Sequence, residues 1–141
     1  MLVKGMTPEL YEKIIPYVTV YGSGKINANT APEPVLAALG LSPGVRRDII
    51  SYRAGRDSKP GTADDGIFDS SLTIVQKLEQ SNALTQDEVT ELLNASAVQL
   101  GTAATAFTVT SRAYVPGGKI PGAEVRAVID SEGSILYWRE R

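Results

Sequence analysis

The 141-residue chain contains no cysteine and no histidine. Without cysteine there is neither a disulfide framework nor a thiol nucleophile, which suits a cytosolic or a periplasmic protein equally. Without histidine the commonest general base and the commonest transition-metal ligand are gone. Ser-His-Asp and Cys-His mechanisms are therefore excluded. A basic excess is also missing: Lys and Arg number 14 against 16 Asp and Glu, a net charge of −2. A dedicated nucleic-acid binder is usually basic, because phosphate neutralisation supplies most of its affinity. No apolar run reaches about 18 residues, so no segment reads as a membrane span. Met1-Leu2-Val3-Lys4-Gly5 lacks the charged start and apolar core of a signal peptide. Leu2 and Val3 read instead as the end of an earlier element, and a fragment of a longer protein is expected.

What remains is a globular composition, 43% hydrophobic and 21% charged. Thr7-Pro8-Glu9 is a helix start, with Thr7 as N-cap and Pro8 at the first position. Leu10, Ile14 and Ile15 form its apolar stripe, and Pro16 ends it. Tyr17 to Tyr21 is β-prone, and Gly22-Ser23-Gly24 breaks the chain. Thr30-Ala31-Pro32-Glu33 has the form of a capping box, leading a helix with Val35, Leu36 and Leu39 that stops at Gly40. Ser42-Pro43 starts the next helix at once, with Val45, Ile49 and Ile50 on its buried side. Two short helices across so tight a turn make a helix-hairpin-helix unit.

Residues 54–66 read as a long polar loop. Asp69 or Ser70 then caps a helix carrying Leu72, Val75 and Leu78. Thr85-Gln86-Asp87-Glu88 is a second capping box, opening a helix with Val89, Leu92 and Leu93. Asn94 to Ala104 reads as a weakly structured linker. From Phe107 the period changes to two. Phe107, Val109, Ser111 and Ala113 alternate with Thr108, Thr110, Arg112 and Tyr114, and Val125, Ala127 and Ile129 alternate with Arg126 and Val128. Pro116-Gly117-Gly118 and Pro121-Gly122 bracket a surface loop, and Asp130-Ser131-Glu132-Gly133 is a hairpin turn before a strand at Ile135 to Trp138. The expected class is α+β, with a helical region over 1–100 followed by a three-stranded antiparallel sheet over 101–141. Three strands make a thin sheet whose apolar face needs a cover.

Two places could carry chemistry. Gly40, Ser42 and Gly44, with Arg46 and Arg47 behind them, could present backbone N–H groups and cations to a nucleic-acid phosphate. A packing unit with solvated arginines is preferred, because Ser42 replaces the second glycine and the chain is acidic. The exit loop gathers Asp57, Asp64, Asp65 and Asp69 among glycines, a supply of oxygens suited to calcium. It is not an EF-hand, and a plain solvated loop with Asp69 as a cap is the competing reading. Asn27 and Asn29 are expected to satisfy backbone groups around a turn. No spacing singles out a catalytic pair, so an enzyme is not expected.

Ile26-Asn27-Ala28-Asn29-Thr30-Ala31, with its hairpin and the Ile49-Ile50-Ser51-Tyr52-Arg53 ending, resembles the helix-hairpin-helix module of the DNA-uptake ComEA type. More of the chain resembles the K-type minor pseudopilin of the bacterial type II secretion system, also called general secretion pathway protein K. Gly5 to Tyr11, Pro16 to Tyr21, the asparagine motif with Val35-Leu36, Phe68-Asp69-Ser70, the strand at Phe107 and the closing Ile135 to Glu140 carry that likeness. The resemblance implies a C-terminal fragment of a structural assembly protein, and not an enzyme. It implies a SAM-like α-domain inserted in a pilin-like sheet, and calcium as a possible ligand. It also implies an N-terminal inner-membrane helix, a periplasmic location in a Gram-negative cell, and partnership with the I and J minor pseudopilins at the pseudopilus tip. The alternative is a DNA-binding domain of the uptake type, which leaves the late strands without a role.

Overall fold

The computed structural model describes residues 2–115, 117 and 121–141. Pro116 and Gly118, which bracket part of the expected surface loop, lie outside the described residues, whereas Pro121 and Gly122 begin a strand. The class is α+β: five α-helices and a three-stranded antiparallel sheet among the described residues. The chain divides into two units, a helical one over residues 1–19 and 24–103 and a sheet unit over 20–23 and 104–141. The helical stretch 24–103 thus interrupts the chain of the sheet unit.

In the helical unit, α1 (Pro8–Ile14) starts as expected, with the Thr7 hydroxyl accepting from Leu10 N–H at 3.2 Å. Pro16 prevents further α-helix, and the chain tightens to a 3-10 turn at Ile15–Tyr17. α1 buries none of its residues. β1 (Ile26–Asn27) leads to α2 (Glu33–Ala38), and Gly40 turns the chain with φ +84°. α3 (Pro43–Arg53) is capped by the Ser42 hydroxyl, which accepts from Val45 N–H. α4 (Thr73–Ser81) and α5 (Gln86–Val98) follow, and β2 (Leu100–Gly101) closes the unit. β2 lies parallel to β1, Ile26 beside Leu100 and Asn27 beside Gly101.

The helical core is formed by Leu36, Leu41, Val45, Ile49, Phe68, Ile74, Leu78, Leu92 and Leu100, all essentially inaccessible to solvent. Each such side chain contributes about 1.5–3 kcal/mol by leaving water. Phe68 stacks on Tyr52 with ring centroids 4.6 Å apart, which joins the end of the long loop to α3.

Four local expectations need correction. The Thr30 capping box does not form: α2 begins after Pro32, which offers no side-chain cap. The N–H groups of Thr30 and Ala31 go instead to the Asn27 carbonyl, and Glu33 pairs with Arg46 at 2.8 Å rather than reaching back. Neither Asp69 nor Ser70 caps α4, and Leu72 is exposed just before it, so its buried face is Ile74, Val75 and Leu78. The linker expected from Asn94 is helical through Val98, with Ala95 and Ser96 buried. The capping box at Thr85 and Glu88 does form, with both reciprocal bonds in place.

The sheet unit is a meander, β3 (Ala106–Tyr114), β4 (Pro121–Asp130) and β5 (Ile135–Glu140), with β4 central. Its turn is specified by Asp130. The carboxylate accepts from the N–H of Glu132 and Ser134, and Gly133 takes φ +90°. Phe107 faces Ile129, Val109 faces Ala127, and Ala127 faces Trp138, so these side chains share one face. Thr110, Arg126 and Arg139 form a row on the other. The apolar face is largely open: Phe107 is 45%, Val109 48% and Trp138 53% exposed, Val125 and Ile129 are half-buried, and Ala127 is buried. Within the same unit, Ser23 N–H donates to the Thr105 hydroxyl at 3.0 Å. No helix among the described residues is long and apolar enough to cross a membrane.

Candidate functional site

The asparagine turn is a structural junction. Asn27 Oδ1 accepts from Asn29 N–H at 2.9 Å, which closes the turn. The Asn29 carboxamide then reaches away from it. It accepts from Phe68 N–H at 2.8 Å and donates to the carbonyls of Phe68 at 2.9 Å and Thr102 at 3.0 Å. Arg53, at the end of α3, donates to the carbonyls of Ala28 and Ala31 at 3.1 and 2.8 Å. Its partial burial lowers its pKa from the ordinary value. Both side chains are taken up by backbone partners, as expected for the asparagines.

The hairpin turn is the first candidate ligand site. The structure brings Gly40, Ser42, Gly44 and Arg46 together, with carboxylates of α5 crowded against the turn. Ser42 N–H donates to the carboxylate of Glu91, from α5. A Cβ at Gly44 would collide with Glu88 Oε1, also from α5. Arg46 pairs with Glu33 and donates to the Leu41 carbonyl at 2.9 Å. Arg47 is well exposed and lies 3.9 Å from Asp48. The anion position at the start of α3 is thus taken by the chain's own carboxylate, and a phosphate would meet Glu88 and Glu91 as like charges. Nothing local to the turn signals these acids, since they lie more than forty residues downstream on another helix.

The aspartate loop is the second. Asp57, Asp64 and Asp65 converge on the Thr62 hydroxyl, whose Oγ1 lies 3.4, 2.8 and 3.1 Å from one oxygen of each. A hydroxyl donates only one proton, so acceptors are in excess there. The other oxygens bind the loop backbone: Asp64 accepts from Arg56 N–H at 2.7 Å, and Asp65 from Gly61 N–H at 2.6 Å. The Thr62 hydroxyl and the Arg56 N–H hold the Asp64 carboxyl below its ordinary pKa. Asp69 stands apart. It pairs with Lys77, which lowers the pKa of the acid and raises that of the base. The four acids named from the sequence therefore split into a convergent three and a separate one. Among the described residues, no three acids are set as a group that could hold a metal ion.

Glycines fix this loop against α3. Gly55 has φ +62°, and a Cβ there would meet the Asp64 carboxylate at 2.8 Å. Gly66 lies under Tyr52, where a Cβ would be 2.6 Å from the ring. Comparison with protein-family models, with curated proteins and with solved structures finds no match for this chain.

Proposed function

We propose that this chain is the C-terminal part of a K-type minor pseudopilin of a type II secretion system, an assembly protein at the tip of the periplasmic pseudopilus. The observation that carries the reading is the division of the chain. Residues 20–23 belong with 104–141 in a unit built on a three-stranded meander, and 24–103, together with 1–19, form a separate helical unit, so that 24–103 is inserted between the two pieces of the sheet unit. A pilin-like sheet with an inserted SAM-like helical domain has that connectivity. The open apolar face at Phe107, Val109 and Trp138 adds support, since a pilin sheet is covered by a long N-terminal helix. In this role the protein acts by packing against I- and J-type minor pseudopilins, anchored in the inner membrane by that helix. The DNA-binding reading is less well supported, because Glu88 and Glu91 sit against the turn that would hold phosphate.

The proposal extends to calcium at the aspartate loop. Its support is the convergence of Asp57, Asp64 and Asp65 on one hydroxyl. Binding would exchange loop hydrogen bonds for metal contacts, since no ready-made ligand group is present among the described residues.

The test is co-elution of the chain with the periplasmic domains of I- and J-type minor pseudopilins from the same secretion operon, at micromolar concentration. A ternary complex is expected. No association, together with a salt-sensitive shift on duplex DNA, would replace this reading with the DNA-binding one.

A further inference from the structure

We propose that the outer edge of β5 accepts an extended acidic segment of a partner protein as a fourth strand. The inference stands on the sheet unit alone and does not rest on the pseudopilin reading.

β5 is the last strand of the sheet, bonded only to β4 among the described residues. Arg141 and Glu124 exchange both backbone bonds, at 2.9 and 3.0 Å. In an antiparallel ladder such pairs alternate, so Arg139 also bonds inward while Trp138 and Glu140 turn their N–H and C=O outward. These groups form an unfilled template for another strand. All six residues of β5 are exposed.

Charge then selects the occupant. On one face of this edge lie Arg126, Arg139 and Arg141, which with Glu124 line a shallow recess of about 80 Å³. Glu124 is already engaged by Arg112 at 2.6 Å. None of the other three arginines forms an ion pair among the described residues. On the opposite face the edge presents Trp138, whose indole N–H is already taken by the Glu140 carboxylate at 3.0 Å, so that its ring offers an apolar surface. A strand laid along β5 would place alternate side chains against the arginines and the rest beside Trp138. Acidic residues alternating with apolar ones satisfy both faces. A second copy paired through the same edge would instead double the arginine row, and its carboxylates on that face, Glu124 and Asp130, are already engaged by Arg112 and by the turn N–H groups. A nucleic acid would meet the arginines but leave the backbone of Trp138 and Glu140 unpaired.

Trp138 is the only tryptophan in the chain, so its fluorescence reads the edge directly. The full chain is titrated with an end-blocked Glu/Val alternating peptide of about eight residues, a strand's length. A saturable blue shift is expected. It should be absent with the Lys/Val counterpart and with a Glu/Val peptide carrying a central proline, which removes a ladder donor. R126E/R139E should weaken Glu/Val binding by about tenfold or more and admit the Lys/Val peptide. Both arginines are exposed, and circular dichroism checks that the variant folds. Equal binding of the Glu/Val and Lys/Val peptides would overturn the proposal. So would binding of duplex DNA or the proline peptide as tight as that of the Glu/Val peptide, since either marks a charged patch without strand addition. Concentration-dependent dimerisation that protects Trp138 without peptide would also overturn it, in favour of a second copy.

Discussion

Asn29 and Phe68 close a ring between them: the carboxamide oxygen accepts from Phe68 N–H at 2.8 Å while its nitrogen donates to the Phe68 carbonyl at 2.9 Å. The two residues are 39 apart in the chain. The same nitrogen reaches Thr102, so one side chain ties together the turn after β1, the end of the long loop and the exit from β2. Asn29→Ala leaves three backbone groups short of a partner and should cost about 2 kcal/mol or more in urea denaturation. Asn29→Asp keeps the acceptor for Phe68 N–H but sets a carboxylate against two carbonyls. At neutral pH it should be at least as damaging as alanine. Its deficit relative to the parent chain should shrink as pH falls and that carboxylate takes up a proton. An aspartate variant as stable as the parent at pH 7 would remove the junction argument.

Gly66 and Gly61 separate contact from backbone strain. At Gly66 a Cβ would be 2.4 Å from the Tyr52 carbonyl oxygen and 2.6 Å from its ring, so Gly66→Ala pushes the loop off Tyr52 and disturbs the Tyr52–Phe68 stack. A loss of about 1–3 kcal/mol is expected, with a change in near-ultraviolet circular dichroism. Gly61 has φ +89° with open space around it, so alanine there brings only conformational strain, about 1 kcal/mol. Its near-ultraviolet spectrum should be unchanged. Equal spectral effects from the two variants would show that packing at Gly66 is not the cause.

Several carboxylates share one pH signature. Asp64 is lowered by Thr62, Asp69 by Lys77, Glu88 by the Thr85 N–H, Glu124 by Arg112 and Asp130 by the Ser134 N–H. Ordinary values are 3.8 for Asp and 4.5 for Glu. Because the folded values lie below these, the unfolded chain binds more protons in that range. The stability these groups contribute is present above the ordinary values and is lost as pH falls through the folded ones. Tm should be flat near neutrality and decline below about pH 4.5. Asp64→Asn and Glu88→Gln should each make the decline shallower; a profile unaltered in both would exclude these groups as its source.

Calcium should raise Tm if the three convergent aspartates bind it. At about a hundredfold excess over Kd, linkage adds about 2.7 kcal/mol, a shift of several degrees. Asp64→Asn should abolish that gain, and Asp69→Asn, whose acid pairs with Lys77, should retain it. Unchanged melting with no heat of binding would remove calcium from the proposed function.

Features that a few neighbouring residues decide were legible beforehand. The Thr85–Glu88 box, the Asp130–Gly133 turn and the alternation from Phe107 each need only contacts within about four positions. Thr30 shows where this fails. Its box has the right letters, but Arg46 on the next helix claims Glu33, and the Asn27 carbonyl takes the Thr30 N–H that Glu33 would have accepted from. Leu72 fails similarly: the helix starts one residue later and turns its face toward Ile74. The two-residue pairing of β1 with β2 joins Ile26 to Leu100, and no short-range pattern announces it. The same holds for Glu91 at the Ser42 N–H. At the aspartate loop composition collected the acids, but only the fold separated Asp69 from the others.

Ser23 and Thr105, hydrogen-bonded to each other, stand at the two ends of the helical stretch, 82 residues apart in the chain. The sheet therefore sees that stretch as a single closed loop. Closing a loop costs free energy only as the logarithm of its length, about 0.6 kcal/mol per doubling. Closure entropy alone therefore sets little limit on the length of that stretch.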